Sequence, residues 1–171
     1  MTNLGLPVAN EGPNAGWTWR AGSGMPGPAV VVDLDGVVAD ATHRQYLVTG
    51  GRHHWDKFFR ACGADPVIEE GAGLVSLLDP GLVVVLLTGR PLSVRELTLD
   101  WLERVGLRWD LLVMRDSGDY AAATEFKRRS LGELRGAGFD VRLALDDDRR
   151  NCEMFRSEGV ACVYVHSGYY D

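Results

Sequence analysis

The sequence predicts an α/β fold, a doubly wound (Rossmann-like) parallel five-stranded sheet with helices on both faces. Five short runs rich in β-branched residues predict the strands, at residues 29–34, 82–88, 111–114, 141–145 and 161–165. Such runs are typical of strands buried on both faces of a sheet. Helical stretches lie between the runs, and this alternation implies parallel strands joined by crossover helices.

Amphipathic patterns predict the helices between these strands. In residues 93–105, apolar side chains recur at spacings of three and four, which places them on one face of a helix. Gly106 follows as the expected C-cap. Two further helices are predicted at residues 124–134 and 149–158, the second closed by Gly159.

The first 28 residues differ from the rest of the chain. Ten of them are glycine or proline, and only two carry charge. We expect residues 1–28 to form a tail that is extended or lies on the domain. Trp17 and Trp19 are expected to pack on the surface of the domain, and contact with a ligand or a partner is the alternative. Residues 29–171 form the predicted folded domain.

The simple alternation is interrupted after the first strand. Residues 41–70 are rich in basic and aromatic side chains, and Gly50 and Gly51 divide them. We expect two short helices here, which form a small, cap-like helical insert over the edge of the sheet.

Composition and charge exclude several classes of protein. The 171 residues carry 24 acidic and 18 basic side chains, so the net charge of −6 argues against a basic coat for nucleic acid, although a local basic groove is compatible with it. The longest apolar run, residues 82–87, is too short for a membrane helix, and no secretory signal is visible. Three cysteines without a Cys-x-x-Cys pair argue against a disulfide framework or a structural zinc site. A cytoplasmic protein that binds no membrane is therefore predicted.

Polar side chains gather where the predicted strands end. In open parallel sheets ligands bind beyond the carboxyl ends of the strands, so these residues are expected to line one site. They are Asp33, Asp35 and Gly36 after the first strand, Thr88, Gly89 and Arg90 after the second, and Asp146, Asp147 and Asp148 after the fourth. Lys127 lies in the first turns of the helix that precedes the fourth strand.

The residue types of this set are those of a phosphoryl-transfer site. Carboxylates that converge at one edge repel each other, and Mg²⁺ is the cation that their hard oxygen ligands favour. Lys127 would neutralise a bound anion, while the Thr88 hydroxyl and the bare backbone at Gly89 would approach phosphate oxygens. The first aspartate of the Asp-x-Asp turn, Asp33, can attack phosphorus. Asp35 can protonate the leaving oxygen and then activate water.

Four short segments stand in an order that resembles the four motifs of the haloacid dehalogenase superfamily. The segments are Asp33-Leu-Asp-Gly-Val, Thr88-Gly-Arg, Lys127 and Asp146-Asp147. Asp35 is the acid that distinguishes the phosphohydrolases of this superfamily from its dehalogenases. Within the superfamily, residues 29–171 are most similar to the 3′-phosphatase domain of phage-type polynucleotide kinase. Arg44 falls eleven residues after the first aspartate, where that domain carries an arginine that contacts substrate.

The resemblance implies a role for each residue of the set. Asp33 is the implied nucleophile, and Asp35 is the implied general acid and base. The implied catalytic residues are Asp33, Asp35, Thr88 and Lys127. The implied magnesium ligands are Asp33, Asp146, Asp147 and the backbone carbonyl of Asp35. The residues implied to contact the substrate are Arg44, Gly89 and Arg90.

Two positions depart from the pattern of the family. Ala123 stands four residues before Lys127, where the resemblance would place an acid, and Glu125 is the nearest substitute. Asp148 stands where the phage-type ending has a basic residue, which predicts a more negative rim. The 171 residues contain no Gly-x-x-x-x-Gly-Lys-Ser/Thr motif, so we expect any kinase partner to be a separate polypeptide.

These observations predict a Mg²⁺-dependent phosphomonoesterase that works through an aspartyl-phosphate and removes 3′-phosphate from DNA or RNA ends or from nucleotides. A small-molecule phosphatase such as a 5′-nucleotidase is the alternative. A non-catalytic, phospho-accepting signalling module is a more distant alternative. Such a module accepts phosphate on its third strand, and here the third strand ends in Met114 and Arg115, with no carboxylate to accept it. The insert is too small to cover the site fully, which leaves space for a polymeric substrate. The second subunit of a homodimer could also cover the site.

Overall fold

One mixed sheet of seven strands organises this computed structural model, which describes residues 10–11, 14–22 and 25–170. The strands are β1 (Asn10–Glu11), β2 (Trp17–Trp19), β3 (Pro28–Val32), β4 (Val83–Pro91), β5 (Leu111–Arg115), β6 (Asp140–Asp146) and β7 (Ala161–Tyr164). They lie in the order β1-β2-β5-β4-β3-β6-β7, and the five strands from β3 to β7 are parallel. The predicted α/β class and all five predicted parallel strands are thereby confirmed.

The central parallel strands β3, β4 and β5 are buried on both faces, because their side chains alternate between two apolar clusters. Ala29 and Val31 belong to one cluster, whereas Val30 and Val32 belong to the other. Within the described ranges the α-helices are α1 (Trp55–Arg60), α2 (Glu69–Ser76), α3 (Arg95–Val105), α4 (Ala123–Gly136) and α5 (Arg149–Ser157). Side chains of α4 and α5 complete the first cluster, and side chains of α2 and α3 complete the second. Helices therefore cover both faces, as predicted.

Two short strands extend the sheet beyond the predicted five, so the predicted number of strands is wrong. β1 pairs antiparallel with β2, and β2 pairs antiparallel with β5, with Trp17 opposite Val113. The Trp17 ring is buried, and Trp17 and Trp19 both pack against Phe139. A strand of three residues in a glycine-rich segment has too little alternation to be recognised from sequence. Residues 1–9, 12–13 and 23–24 of the predicted tail lie outside the described residues.

The passage after β3 forms a run of short helices. A 3₁₀ helix at Thr42–Leu47 precedes α1, and a second 3₁₀ helix at Ala61–Ala64 follows it. Gly50 and Gly51 lie between the first 3₁₀ helix and α1. In α1 the Phe58 ring is buried, whereas the Trp55 ring is half exposed.

Two other sequence expectations concern helices and cysteines. The predicted C-cap of α3, Gly106, has the left-handed conformation, with φ of +66°. All three cysteines are buried free thiols. Across the part of the chain that the structure describes, no helix combines the length and the apolar character needed to span a bilayer.

Candidate active site

Three carboxylates meet at the carboxyl edge of the sheet. Asp33 follows β3, Asp146 ends β6, and Asp147 comes next in the chain. One carboxylate oxygen of each lies within 4.8 Å of the other two, and all three side chains are buried. Because β3 and β6 are parallel neighbours, their carboxyl ends bring these residues together, as the sequence predicts.

Lys127 joins this carboxylate cluster from α4. Its Nζ donates hydrogen bonds to Asp33 Oδ2 at 2.7 Å and to Asp146 Oδ2 at 2.6 Å. Burial alone would lower the pKa of the ammonium, but the charges of Asp146 and Asp33 outweigh it and raise this pKa. Lys127 is therefore protonated, yet one ammonium cannot balance three carboxylates.

Asp147 lacks hydrogen-bond partners for both of its buried carboxylate oxygens among the described residues. Burial raises the pKa of Asp147 to about 7. The nearby Ser167 hydroxyl opposes this rise although it lies outside hydrogen-bond geometry, and the neighbouring Asp146 adds to it. A buried carboxylate without partners is costly unless a cation is bound beside it. Asp33 and Asp147 offer the hard oxygen ligands that Mg²⁺ prefers, so the residues present fit the predicted metal ion.

Asp33 occupies the centre of the cluster. Its Oδ1 accepts a hydrogen bond from the backbone N–H of Leu34 at 2.8 Å, and its Oδ2 accepts from Lys127. Burial raises the pKa of Asp33 well above its usual range, the ammonium of Lys127 opposes this rise, and the charges of Asp146 and Asp147 add to it. An additional positive charge at the cluster would keep Asp33 ionised and therefore nucleophilic.

Gly36 allows the turn after β3 to pass close to Asp147. Its φ is +81°, a conformation that L side chains rarely adopt. A Cβ at this position would lie only 2.0 Å from Asp147 Oδ2. Glycine is therefore required here both by the backbone conformation and by the nearby carboxylate.

The side chain of Asp35 points to two arginines rather than into the carboxylate cluster. Its Oδ1 accepts hydrogen bonds from Arg44 NH2 at 2.8 Å and from Arg90 NH2 and Nε at 2.6 and 3.0 Å. Burial opposes ionisation, but the guanidinium groups of Arg90 and Arg44 outweigh it and lower the pKa of Asp35. The side chain stays 21% exposed, so a substrate can reach this ionised carboxylate.

Asp65 holds the same two arginines from the other side, and sequence patterns did not indicate it. Arg44 donates to Asp65 from Nε at 2.8 Å and from NH2 at 2.6 Å, and Arg90 NH2 donates to it at 2.8 Å. His43 Nε2 lies 2.8 Å from Asp65 Oδ1, and the Trp101 indole donates to the Asp65 backbone oxygen at 2.8 Å. No motif spacing marks this residue. The need for a second carboxylate becomes visible only when the structure shows that both arginines are buried.

Arg44 and Arg90, the two predicted substrate contacts, are both completely buried. The guanidinium carbon of Arg44 lies 4.1 Å from the centroid of the Phe58 ring. That of Arg90 lies 5.8 Å from the Trp101 ring. With their polar groups turned to carboxylates, both arginines orient Asp35 in this structure.

Thr88 and Gly89 reach the same edge of the sheet from β4. Thr88 is buried, and its Oγ1 accepts a hydrogen bond from the backbone N–H of Arg90 at 3.2 Å, so the hydroxyl hydrogen can be donated to another group. A Cβ at Gly89 would have nothing within 4 Å. The backbone beside Thr88 is therefore open to an approaching anion.

At the first of the two departures from the family pattern, Ala123, the structure shows which groups lie near Asp146 in place of an acid. Glu125 is exposed and so does not replace the acid missing at Ala123. Instead, Thr124 Oγ1 donates to Asn151 Oδ1 at 3.0 Å, and Asn151 Nδ2 donates to Asp146 Oδ1 at 3.0 Å. A neutral amide that sequence patterns did not select thus orients Asp146.

Asp148 does not add an open negative charge to the rim, contrary to the prediction. Its side chain is buried and caps α5 by accepting a hydrogen bond from the backbone N–H of Arg150 at 2.9 Å. The Arg150 guanidinium also binds this carboxylate, with NH2 at 2.7 Å from Oδ2. The charge of Asp148 is therefore neutralised within its own turn.

Comparison with known proteins points to one family. The family model described as "Polynucleotide kinase PNKP phosphatase domain" matches residues 27–170. A chain in the structure of the Pnkp1/Rnl/Hen1 complex superposes with a TM-score of 0.70 at 28% identity, over 83% of this chain and 46% of that chain. A chain in the Pnkp1/Rnl/Hen1 RNA repair complex gives 0.68 at 28% identity, over 83% and 43%. The present chain thus spans less than half the length of both.

A more distant structure shares the fold. The class C acid phosphatase from Bacillus anthracis, solved with tungstate bound, superposes with a TM-score of 0.60 at 18% identity, over 87% of this chain and 70% of that chain. Together with the family match, this shared fold confirms the predicted resemblance to the haloacid dehalogenase superfamily.

Proposed function

The chain belongs to the PNKP phosphatase-domain family of haloacid dehalogenase-like phosphomonoesterases, and on that basis we propose that it removes 3′-phosphate from the ends of nucleic acids or nucleotides with the help of Mg²⁺. One observation carries this proposal. Lys127 lies between Asp33 and Asp146 beside Asp147, whose carboxylate oxygens accept no hydrogen bond from any residue that the structure describes. Such a set offers a carboxylate nucleophile, a cation for phosphate and oxygen ligands for a metal ion.

Asp33 and Asp35 divide the chemistry between them. An oxygen of Asp33 attacks phosphorus and forms an aspartyl-phosphate as the bond to the leaving oxygen breaks, and Asp35 gives that oxygen a proton. Water then attacks the phosphorus, Asp35 accepts the proton of the water, and phosphate leaves as the Asp33 carboxylate is restored.

The two arginines set the protonation of Asp35. Because they lower its pKa, Asp35 is ionised in the free protein, so it is in the form that can accept a proton from water in the second step. The first step needs a proton on Asp35. The negative charge of a phosphate bound nearby favours its protonation, since like charges raise the pKa of a carboxyl group.

The remaining residues hold the phosphate and the metal ion. Lys127, the Thr88 hydroxyl and the open backbone at Gly89 would bind the phosphate oxygens. Asp33 and Asp147 would hold Mg²⁺ together with Asp146 and the backbone carbonyl of Asp35, and the bound ion supplies positive charge that offsets the carboxylates and the phosphate.

The helical insert favours a nucleic-acid substrate. Trp55 is 50% exposed, and its ring contacts Phe58 (centroids 5.7 Å apart), which in turn packs on Arg44 beside Asp35. The exposed basic side chains of the same segment are Arg52, Lys57 and Arg60. Aromatic rings interleaved with positive charge are typical of surfaces that bind single strands.

Phosphate release from matched substrates tests the proposed function. We expect rapid Mg²⁺-dependent release from a 3′-phosphorylated oligonucleotide, and slower release from the 5′-phosphorylated form and from mononucleotides. Asp33→Asn should abolish release, whereas Asp100→Asn, which changes an exposed carboxylate of α3, serves as the matched control. Preference for a 5′-mononucleotide would identify a nucleotidase instead.

The role of Asp35 has its own test. Asp35→Asn cannot donate or accept the proton, so turnover should fall while phosphate covalently bound to the protein accumulates with a substrate whose leaving group needs no proton, such as an aryl phosphate. Mass spectrometry of the quenched protein measures this intermediate. Full turnover by the variant would remove Asp35 from the mechanism.

A further inference from the structure

The last described residues are fixed against the active site. A Cβ added to Gly36 would lie 3.0 Å from Ser167 Cβ as well as 2.0 Å from Asp147 Oδ2, so Ser167 borders the carboxylate cluster. Tyr169 secures the segment, because its backbone N–H donates to Ser167 Oγ at 3.2 Å and its hydroxyl accepts from the Ala41 N–H at 2.8 Å.

Tyr170 follows this anchored turn with an exposed ring. The side chain is 56% exposed, and the guanidinium carbon of Arg150 lies 5.7 Å from the ring centroid. The same Arg150 guanidinium binds Asp148, the residue that follows Asp147, so the ring lies beside the carboxylate cluster. In keeping with this position, partial burial and the charges of Asp147 and Asp33 raise the pKa of Tyr170. Tyr170 thus places an uncharged aromatic surface beside the residues that would bind the phosphate.

Nothing in the proposed phosphate chemistry uses this ring. Lys127, Thr88 and the carboxylate cluster already account for the phosphate and the metal ion, and the exposed ring adds apolar surface instead. In a nucleotide 3′-phosphate, the base is attached to the same sugar as the phosphate. A flat ring at the edge of the phosphate site is therefore within reach of that base.

We propose that Tyr170 stacks on the nucleobase of the nucleotide that carries the phosphate. The neighbouring Arg150 keeps the ring in place from one side, as a cation over an aromatic ring does. This inference rests on the proposed function. Tyr170 would give the protein its preference for a nucleotide over a phosphate ester that has no base. Stacking does not depend on which base is present, so little sequence preference should result.

An abasic substrate provides the test. The Michaelis constants are compared for two oligonucleotides that end in the same 3′-phosphate, one with a normal terminal base and one with an abasic terminal sugar. We expect the wild type to favour the normal substrate by about 5- to 150-fold, because stacking one base on an aromatic side chain contributes about 1–3 kcal/mol. In Tyr170→Ala this ratio should fall towards one, and in Tyr170→Phe, which keeps the ring, it should persist.

The outcomes separate this inference from the proposed function. If neither oligonucleotide loses phosphate with the wild type, the proposed function fails. If both are hydrolysed and the ratio is the same in wild type and Tyr170→Ala, only the role of Tyr170 is overturned. An equal loss in Tyr170→Phe and Tyr170→Ala would also overturn it, since the hydroxyl rather than the ring would then be responsible.

Discussion

Asp65 Oδ2 accepts a hydrogen bond from Arg90 NH2 at 2.8 Å, and the same nitrogen donates at 2.6 Å to Asp35. Asp65 of the helical insert is thereby connected to Asp35 of the Asp-x-Asp turn through the Arg90 side chain of β4. Because Asp65 and Arg90 are both buried, their interaction is not screened by solvent and its geometry is well defined. Asp65 is thus a positioning residue, which acts on the reaction through Arg90 and Arg44.

Asp65→Asn should destabilise the protein and slow its reaction. Removing one member of a buried charge network leaves its partners without compensation, so we expect the free energy of unfolding to fall by about 3 kcal/mol. Two loosened arginines would hold Asp35 less well, and kcat should fall at least tenfold with a shifted pH profile. Urea denaturation and phosphate-release assays measure the two effects.

The exposed pair of Asp56 and Arg60 provides the control for Asp65. Asp56→Asn removes a solvent-exposed ion pair and should leave both stability and rate almost unchanged. Similar small effects for Asp65→Asn would contradict its positioning role.

Asp147→Asn should stabilise the protein without divalent cations and abolish its response to them. Asp147 has a pKa of about 7 in the fold against 3.8 in a free chain, so its ionisation destabilises the fold progressively as the pH rises from about 4 to 7. The amide avoids this cost, and we expect a gain of about 1–3 kcal/mol above pH 7 that disappears near pH 4.

Thermal unfolding with EDTA and with Mg²⁺ measures both effects of Asp147→Asn. The wild type should gain stability with Mg²⁺, as expected for a ligand that binds only the folded state. A variant that is less stable than the wild type in EDTA at pH 8, or that keeps the full Mg²⁺ response, would speak against Asp147 as an unpaired metal ligand.

The two lysines of the chain allow a matched comparison. Lys127 bridges two buried carboxylates, so Lys127→Met should abolish phosphate release and lower the melting temperature, more strongly in EDTA than in saturating Mg²⁺. Lys57→Met changes an exposed side chain of α1 and should leave the melting temperature almost unchanged. Equal losses with and without Mg²⁺ would argue that the ion does not offset the charges at Lys127.

Gly36→Ala should lower Mg²⁺ binding and phosphate release by more than its backbone strain alone would. Gly36 and Gly106 both have positive φ, so alanine at either position strains the backbone by about 1 kcal/mol. Only at Gly36 would the new methyl group meet a carboxylate oxygen, that of Asp147. Gly36→Ala should therefore weaken Mg²⁺ binding and phosphate release, whereas Gly106→Ala should lower stability alone.

The order of residues along the chain by itself determined the framework of the site. β-branched runs predicted five parallel strands, and parallel strands bring their carboxyl ends to one edge. Asp33, Asp146 and Asp147 could therefore be placed together without coordinates, and the structure puts their oxygens within 4.8 Å of one another. Lys127 could be assigned to the same site from its place in the helix before β6.

The pairing of the charges could not be derived in this way and became known from the folded arrangement. Asp65 comes from the insert and Arg90 from β4, 25 residues apart, and no local pattern links a carboxylate to a guanidinium at such a separation. β2 was missed because a three-residue strand is stabilised by the strand beside it and not by its own sequence. The positions of strands and helices follow from hydrophobic periodicity, which is local, whereas the pairing of buried charges depends on which chain segments pack together in three dimensions.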